Sequence, residues 1–188
     1  MQVSEIHFFS MSKSVYQEAG KGLPLNYAMV DTPHGHAFFA ESCGKVVFLS
    51  LTQKEDQGLR EFTSIWNQAK PSLQPEKCQK LVNDIFSEDG EARLLAIGTS
   101  FQIAVWETLI HIEEGQLMTY QEIAEKIGHP ESAIDVAKAV GDNPIAHLIP
   151  CHRAVLSHDA LGDYRWGVES KRTFLQAEGV DLDSLSLA

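Results

Sequence analysis

Cys151 and His152 stand side by side in Ile149-Pro150-Cys151-His152-Arg153, behind Ile145, Leu148 and Ile149, an apolar run that reads as a short buried segment. The chemistry open to such a pair is nucleophilic. Only the thiolate of a cysteine attacks, and apolar burial raises the thiol pKa further, so a cysteine placed here needs a base and a group to orient that base. His152 is the base at hand. Adjacent Cys-His pairs also arise by chance, and most buried cysteines are small hydrophobes, so the dipeptide alone leaves a structural thiol as the alternative. Cys43 and Cys78 lie far away along the chain, and the three cysteines form neither a disulfide framework nor a CxxC metal pattern. No metal and no cofactor are expected.

The elements that must position this pair divide the chain three ways. Residues 1–25 mix polar and apolar side chains without a clean period, and Gly20, Gly22 and Pro24 suggest a loosely attached leader. Residues 26–96 read as a small α/β domain. Apolar runs at 27–30, 37–40 and 46–49, separated by Pro and Gly turns, form an antiparallel meander. Leu59, Phe62, Ile65 and Trp66 repeat at helical spacing, a second helix starts near Pro75, and 93–97 closes the sheet. Residues 97–188 read as mostly helical. Ser100 caps a helix whose buried stripe is Phe101, Val105, Leu109 and Ile112, and Thr119 with Glu122 forms a capping box for a helix from Tyr120 to Ile127. Gly128-His129-Pro130 then turns the chain into a helix from Glu131 to Gly141, which makes a helix-turn-helix. Its core stripe is Ala133, Val136, Ala137 and Val140, with Ile134, Lys138 and Gly141 facing outward. Beyond Gly179 the tail looks frayed. The fold class is α+β: an antiparallel sheet with helices, followed by a helical domain.

With 44% hydrophobic and 22% charged residues the composition is that of a soluble globular protein. No run approaches the roughly 18 apolar residues of a membrane span, and the N-terminus lacks a signal-peptide pattern. A cytoplasmic, reducing location is expected, at the nucleoid if the cell is bacterial. The net charge of −11 excludes generic nucleic-acid binding through a broad basic surface. Residues 97–188 carry six Lys and Arg against 14 Asp and Glu, so any contact with DNA must be local.

Asn143-Pro144, Ile149 to Arg153, Gly162-Asp163-Tyr164-Arg165-Trp166-Gly167 and Ala177-Glu178-Gly179 together resemble the O6-alkylguanine-DNA alkyltransferases, the suicide repair proteins related to the C-terminal part of bacterial Ada. The resemblance extends upstream through Gly98 to Gln102, Val105-Trp106 and Thr119-Tyr120, and reaches 26–95 only in general layout. It implies that Cys151 accepts an alkyl group from guanine O6 (O4-alkylthymine being a further substrate), irreversibly and once per molecule. It also implies that His152 is the base, working through a bridging water, and that Glu178 orients it. Tyr120 assists departure of guanine, while Asn143, Val155 and Tyr164 serve the substrate. Asn143 is the hinge between the reading helix and the reactive loop, although as a residue it reads equally as a helix C-cap. Arg153, Trp106 and Trp166 read as structural. Ser132, Ile134 and Lys138 face duplex DNA, and a monomer is expected.

The sequence departs from the family at Ile134, where members carry an arginine that fills the gap left by the flipped base. An apolar wedge can also unstack bases. The alternative reading is an acidic sensing or interaction module of alkyltransferase type with weakened or lost duplex binding. A Cys-His-Glu hydrolase is disfavoured, because acyl transfer needs an oxyanion hole and no Gly-rich loop flanks the thiol.

Overall fold

Ala37, Phe38, Phe39 and Ala40 are all at most 1% exposed, which explains why this run is continuously apolar: it lies mid-sheet and is covered on both faces. The computed structural model describes residues 3–182. Within it β1 (Glu5–Ser12), α1 (Lys13–Ala19), β2 (Asn26–Thr32), β3 (Gly35–Ser42), β4 (Lys45–Ser50), α2 (Glu55–Ile65), β5 (Ser72–Leu73), α3 (Pro75–Ile85) and β6 (Glu91–Gly98) form a first unit. The meander β2-β3-β4 is antiparallel as expected, and Cys43 and Gly44, both at positive φ, make its second turn. The sheet as a whole is mixed, in the order β1-β6-β4-β3-β2-β5. β1 and β4 run parallel to β6, and β5 runs parallel to β2. A short apolar run carries no information on strand direction, so the expected purely antiparallel sheet is corrected here. Tyr16, Phe38, Phe48, Phe62 and Trp66 form the core of this unit.

Within the expected leader, residues 3–25 are tied into the first unit. Glu5 to Ser12 pair with β6 over eight positions, and Tyr16 is buried with its hydroxyl accepting from the Gln68 amide at 2.8 Å. An edge strand of half-exposed residues shows no clean alternation, which hid it from the pattern. The unit also takes in Pro144–Leu148. The Leu49 amide donates to the Pro144 carbonyl and the Ala146 amide to the Leu49 carbonyl, so the apolar run before Cys151 is buried as expected.

The second unit comprises Ser100–Asn143 and the chain from Ile149 onward. It contains α4 (Ser100–Ile110), β7 (Met118–Thr119), α5 (Tyr120–Lys126), α6 (Ala133–Gly141), a 3-10 turn (Cys151–Arg153), β8 (Ala154–Val155) and α7 (Val168–Ala177). The boundary falls past 97, because Ile97 lies within β6 and packs in the first core. α4 begins at Ser100 itself, so Ser100 is a helical residue rather than its cap, and it buries Val105, Trp106 and Leu109. α5 carries the full Thr119–Glu122 capping box. α6 buries Val136, Ala139 and Val140, while Ala133 and Ala137 are half-buried, one step round from the expected stripe. Val155, Leu161, Leu175 and Leu182 form a small core against which Val180 packs, so the chain just past Gly179 is held; residues 183–188 lie outside the described part.

Candidate active site

The 3-10 turn at Cys151 follows Pro150 and buries both Cys151 and His152, at 2% and 0% exposure. The thiol is not isolated. Asn143, two residues past the end of α6, sends Nδ2 to the Ile149 carbonyl at 2.9 Å and to Cys151 Sγ at 3.0 Å. The helix C-cap is Asp142, so Asn143 acts as the tie between helix and reactive turn. The buried Tyr164 hydroxyl faces the same sulfur without reaching full hydrogen-bond geometry, and its interaction favours the thiolate. Burial pushes the Cys151 pKa up, and the donors at Asn143 and Tyr164 and the charge of Lys171 offset this only in part. The resting group is a neutral thiol.

His152 Nε2 lies 2.7 Å from Glu178 Oε1. A carboxylate can only accept, so Nε2 carries the hydrogen and the lone pair of the neutral ring is on Nδ1. Burial lowers the His152 pKa against the opposing pull of Glu178, which keeps the ring neutral. Glu178, the C-cap residue of α7, is held from several sides. Arg153 donates Nη2 to Oε1 at 2.8 Å and Nε to Oε2 at 3.0 Å, and the Gly115 amide approaches Oε2 at 3.4 Å. Burial alone would raise the Glu178 pKa, but hydrogen bonds from His152 and Arg153 outweigh it and hold it at about 2. Arg153 in turn donates Nη1 to the Ile112 carbonyl at 2.6 Å, which fixes it as a structural cation.

A cavity of about 740 Å³ opens beside the sulfur, lined by Cys151, Tyr120, Tyr164, Leu156, Gly162, Arg165 and one face of α6 including Ile134 and Lys138. Tyr120 is the first residue of α5, and burial, then the charges of Asp163 and Cys151, raises its pKa to about 12, so it remains a proton donor. Ile134 is 76% exposed at the cavity rim, and Lys138 Nζ sits 3.3 Å from Asp135. Ser132 is the N-cap of α6, without a capping side-chain bond, and does not line the cavity. Val155 does not line it either. Its side chain is fully buried in the small core, and the neighbouring Leu156, 54% exposed, takes the cavity position. Trp106 is scaffold, its indole donating to the Ala139 carbonyl. Leu156 and Lys171 escaped the sequence reading, and Gly162 and Arg165 entered only as members of the motif around Tyr164, without a role of their own. Among the described residues no group of three or more His, Cys, Asp or Glu is placed to hold a metal ion, and no helix is long and apolar enough to cross a membrane.

Residues 100–180 match the family model described as 6-O-methylguanine DNA methyltransferase, DNA binding domain. Regulatory protein ada of Salmonella typhimurium is 33% identical over 174 residues, covering 89% of this chain and 49% of that protein. The methylated-DNA–protein-cysteine methyltransferase of Saccharomyces cerevisiae is 43% identical over 89 residues, 47% of each chain. The chain thus spans about half the length of the curated relatives it matches. Among solved structures, Mycobacterium tuberculosis OGT in complex with DNA superposes with a TM-score of 0.63 at 28% identity, covering 82% of this chain and 93% of that one. The match to the 6-O-methylguanine DNA methyltransferase DNA-binding domain thus falls on residues 100–180, the stretch that carries every side chain of the site.

Proposed function

We propose that this chain is a DNA-repair alkyltransferase that moves an alkyl group from O6-alkylguanine in duplex DNA to its own Cys151. The observation that carries the reading is the buried line Asn143–Cys151 and His152–Glu178–Arg153, opening on a cavity large enough for an extrahelical base. The thiol proton passes to His152 Nδ1, and the imidazolium so formed is stabilised by the Glu178 carboxylate. Sγ attacks the alkyl carbon, the S–C bond forms as the C–O6 bond breaks, and the electron pair moves onto the guanine. Tyr120, kept protonated, donates a hydrogen bond to the departing base. The product thioether is not hydrolysed by water, so each molecule acts once. Asn143 and Tyr164 spread the developing sulfur charge, and Ile134 with Leu156 offers an apolar edge that replaces the unstacked neighbour of the flipped base.

The second reading, a sensing module with weakened duplex binding, is favoured by one observation: the only cation of α6, Lys138, is paired with Asp135 on its own helix. The two readings part on mass. Incubation with DNA containing O6-methylguanine adds one methyl mass to the Cys151 peptide and none after Cys151→Ala. Methyl transfer mapped to Cys43 or Cys78, or no transfer at all while damaged duplex is still bound, overturns the first reading.

A further inference from the structure

The second unit buries one more titratable side chain, for which the transfer step above has no use. Lys171, in α7, is 0% exposed. Its Nζ donates to the Ala154 carbonyl and to the Leu161 carbonyl, each at 2.6 Å. Ala154 begins β8, three residues beyond Cys151; Leu161 directly precedes Gly162-Asp163-Tyr164, whose tyrosine faces the sulfur. One ammonium therefore ties the reactive turn to the segment 161–164, the flap beside the thiol. Two neutral carbonyls are poor compensation for a buried charge, and a neutral donor would hold them as well. The charges that act on Lys171 are those of Cys151 first and Asp163 second, both favouring the ammonium.

We propose that Lys171 is a positioning residue whose ammonium is the counter-charge of the Cys151 thiolate, so that the reactive turn carries its own buried cation for the moment of attack. The proposal rests on the reading of Cys151 as the nucleophile. Burial brings the Lys171 pKa down to about 8 against the opposing charges of Cys151 and Asp163, and it is the negative sulfur that favours the ammonium. The same cation disfavours an imidazolium at His152, which makes His152 a transient carrier of the thiol proton rather than its resting place. Cys151 and His152 on the turn and Asp163 on the flap are the titratable groups that couple to it.

The test is the rate of Cys151 labelling by iodoacetamide against pH, read by peptide mass in the full chain for wild type, Lys171→Met and Lys171→Gln. Sulfur displaces iodide, so the reaction requires no alkylguanine. If wild type takes no benzyl group from free O6-benzylguanine, the repair reading fails by itself and the labelling profiles still decide the role of Lys171. Both variants are expected to move the labelling midpoint up by about one pH unit and to slow labelling near neutrality about tenfold. Gln retains donors for the two carbonyls, so a loss shared with Met is a loss of charge. A folded variant with an unchanged midpoint overturns the proposal. Should both variants fail to fold, an NMR titration of Lys171 Cε decides it. The Lys171 midpoint must fall in Cys151→Ser relative to wild type, and coincident titrations overturn the counter-charge role.

Discussion

Among the described residues, the sheet unit encloses Phe38, Phe48, Phe62 and Trp66 and one buried carboxylate, whereas the helical unit encloses Asn143, His152, Glu178 and Lys171 around a single thiol. In the sheet unit Glu41 is answered locally. Lys77, Asn26 and the Gly44 amide bond its carboxylate at the β-bulge, and together they lower its pKa against the opposing effect of burial. In the helical unit Glu178 pairs with His152 and Arg153, Asn143 bonds the sulfur, and Lys171 ties two carbonyls, so the buried polar groups gather around the thiol. Burying polar groups costs stability unless each is satisfied, and perturbed groups gathered in a cleft mark chemistry more often than architecture. The difference separates a unit built for packing from one that keeps charge ready.

The largest expected effect breaks or sustains this division directly. His152→Ala should slow alkyl transfer by about 10²–10⁴-fold, the usual contribution of a positioned base. Glu178→Gln should slow it less, and the double mutant should be little worse than His152→Ala, because residues acting as a unit are non-additive. Phe62→Ala, in contrast, should cost about 3–5 kcal/mol of unfolding free energy and leave the rate per folded molecule unchanged. Single-turnover kinetics with parallel denaturant melts make the comparison. Additive losses at His152 and Glu178, or a slowed rate in folded Phe62→Ala, would dissolve it.

The next effect is in the acid range. The Glu178 pKa is held at about 2 in the folded chain, below its ordinary 4.5, so the folded state binds fewer protons than the unfolded one between those values. Its stabilisation is therefore fully present above about pH 4.5 and is lost as pH falls toward 2. The amount is on the order of 3 kcal/mol. Melts from pH 6 to pH 3 should show wild type losing stability more steeply than Glu178→Gln, which has no proton to take up. Parallel slopes would mean that Arg153 finds an equal partner without the carboxylate.

What was legible in the sequence follows from how local each signal is. Cys151-His152 and the Thr119–Glu122 capping box lie within a few residues, so their roles are written in short strings. Glu178 lies 26 residues beyond His152, and only the motif match, not spacing, pointed to it. Lys171 went unnoticed because a lone lysine on an amphipathic helix reads as solvated. Its place on one stripe with Phe174 and Leu175, at i+3 and i+4, was the signal available. Val155 and Leu156 show the opposite hazard. Neighbours in an extended segment face opposite ways, so an offset of one residue exchanged a core side chain for a cavity one. In α6 the alanines at 133, 137 and 139 are alike in type, and the pattern alone could not choose which of them is buried.

The smallest expected effect concerns the cavity rim, where the proposed substrate would enter the helical unit. Ile134 is 76% exposed in the first turn of α6 and Leu156 is 54% exposed, and both line the cavity. The cation beside them, Lys138, is exposed along with its partner Asp135, so their pair is weak and either can turn to solvent. Under the proposed function, duplex binding by this face would depend on apolar contact more than on phosphate neutralisation, in a chain of net charge −11. Ile134→Arg adds one cation at the rim. Duplex affinity should rise about tenfold at low salt, and the slope of log affinity against log salt should steepen by about one, as for one added phosphate contact. Reaction with free O6-benzylguanine should not change, since a free base needs the cavity but neither flipping nor phosphate. Fluorescence anisotropy across a salt series, with benzyl transfer alongside, reads both quantities. If affinity rises and the slope stays fixed, the arginine stacks instead of pairing with phosphate. If neither moves while wild type already reacts rapidly on duplex, Ile134 and Leu156 suffice as the wedge, and the acidity of the chain is no obstacle at this rim.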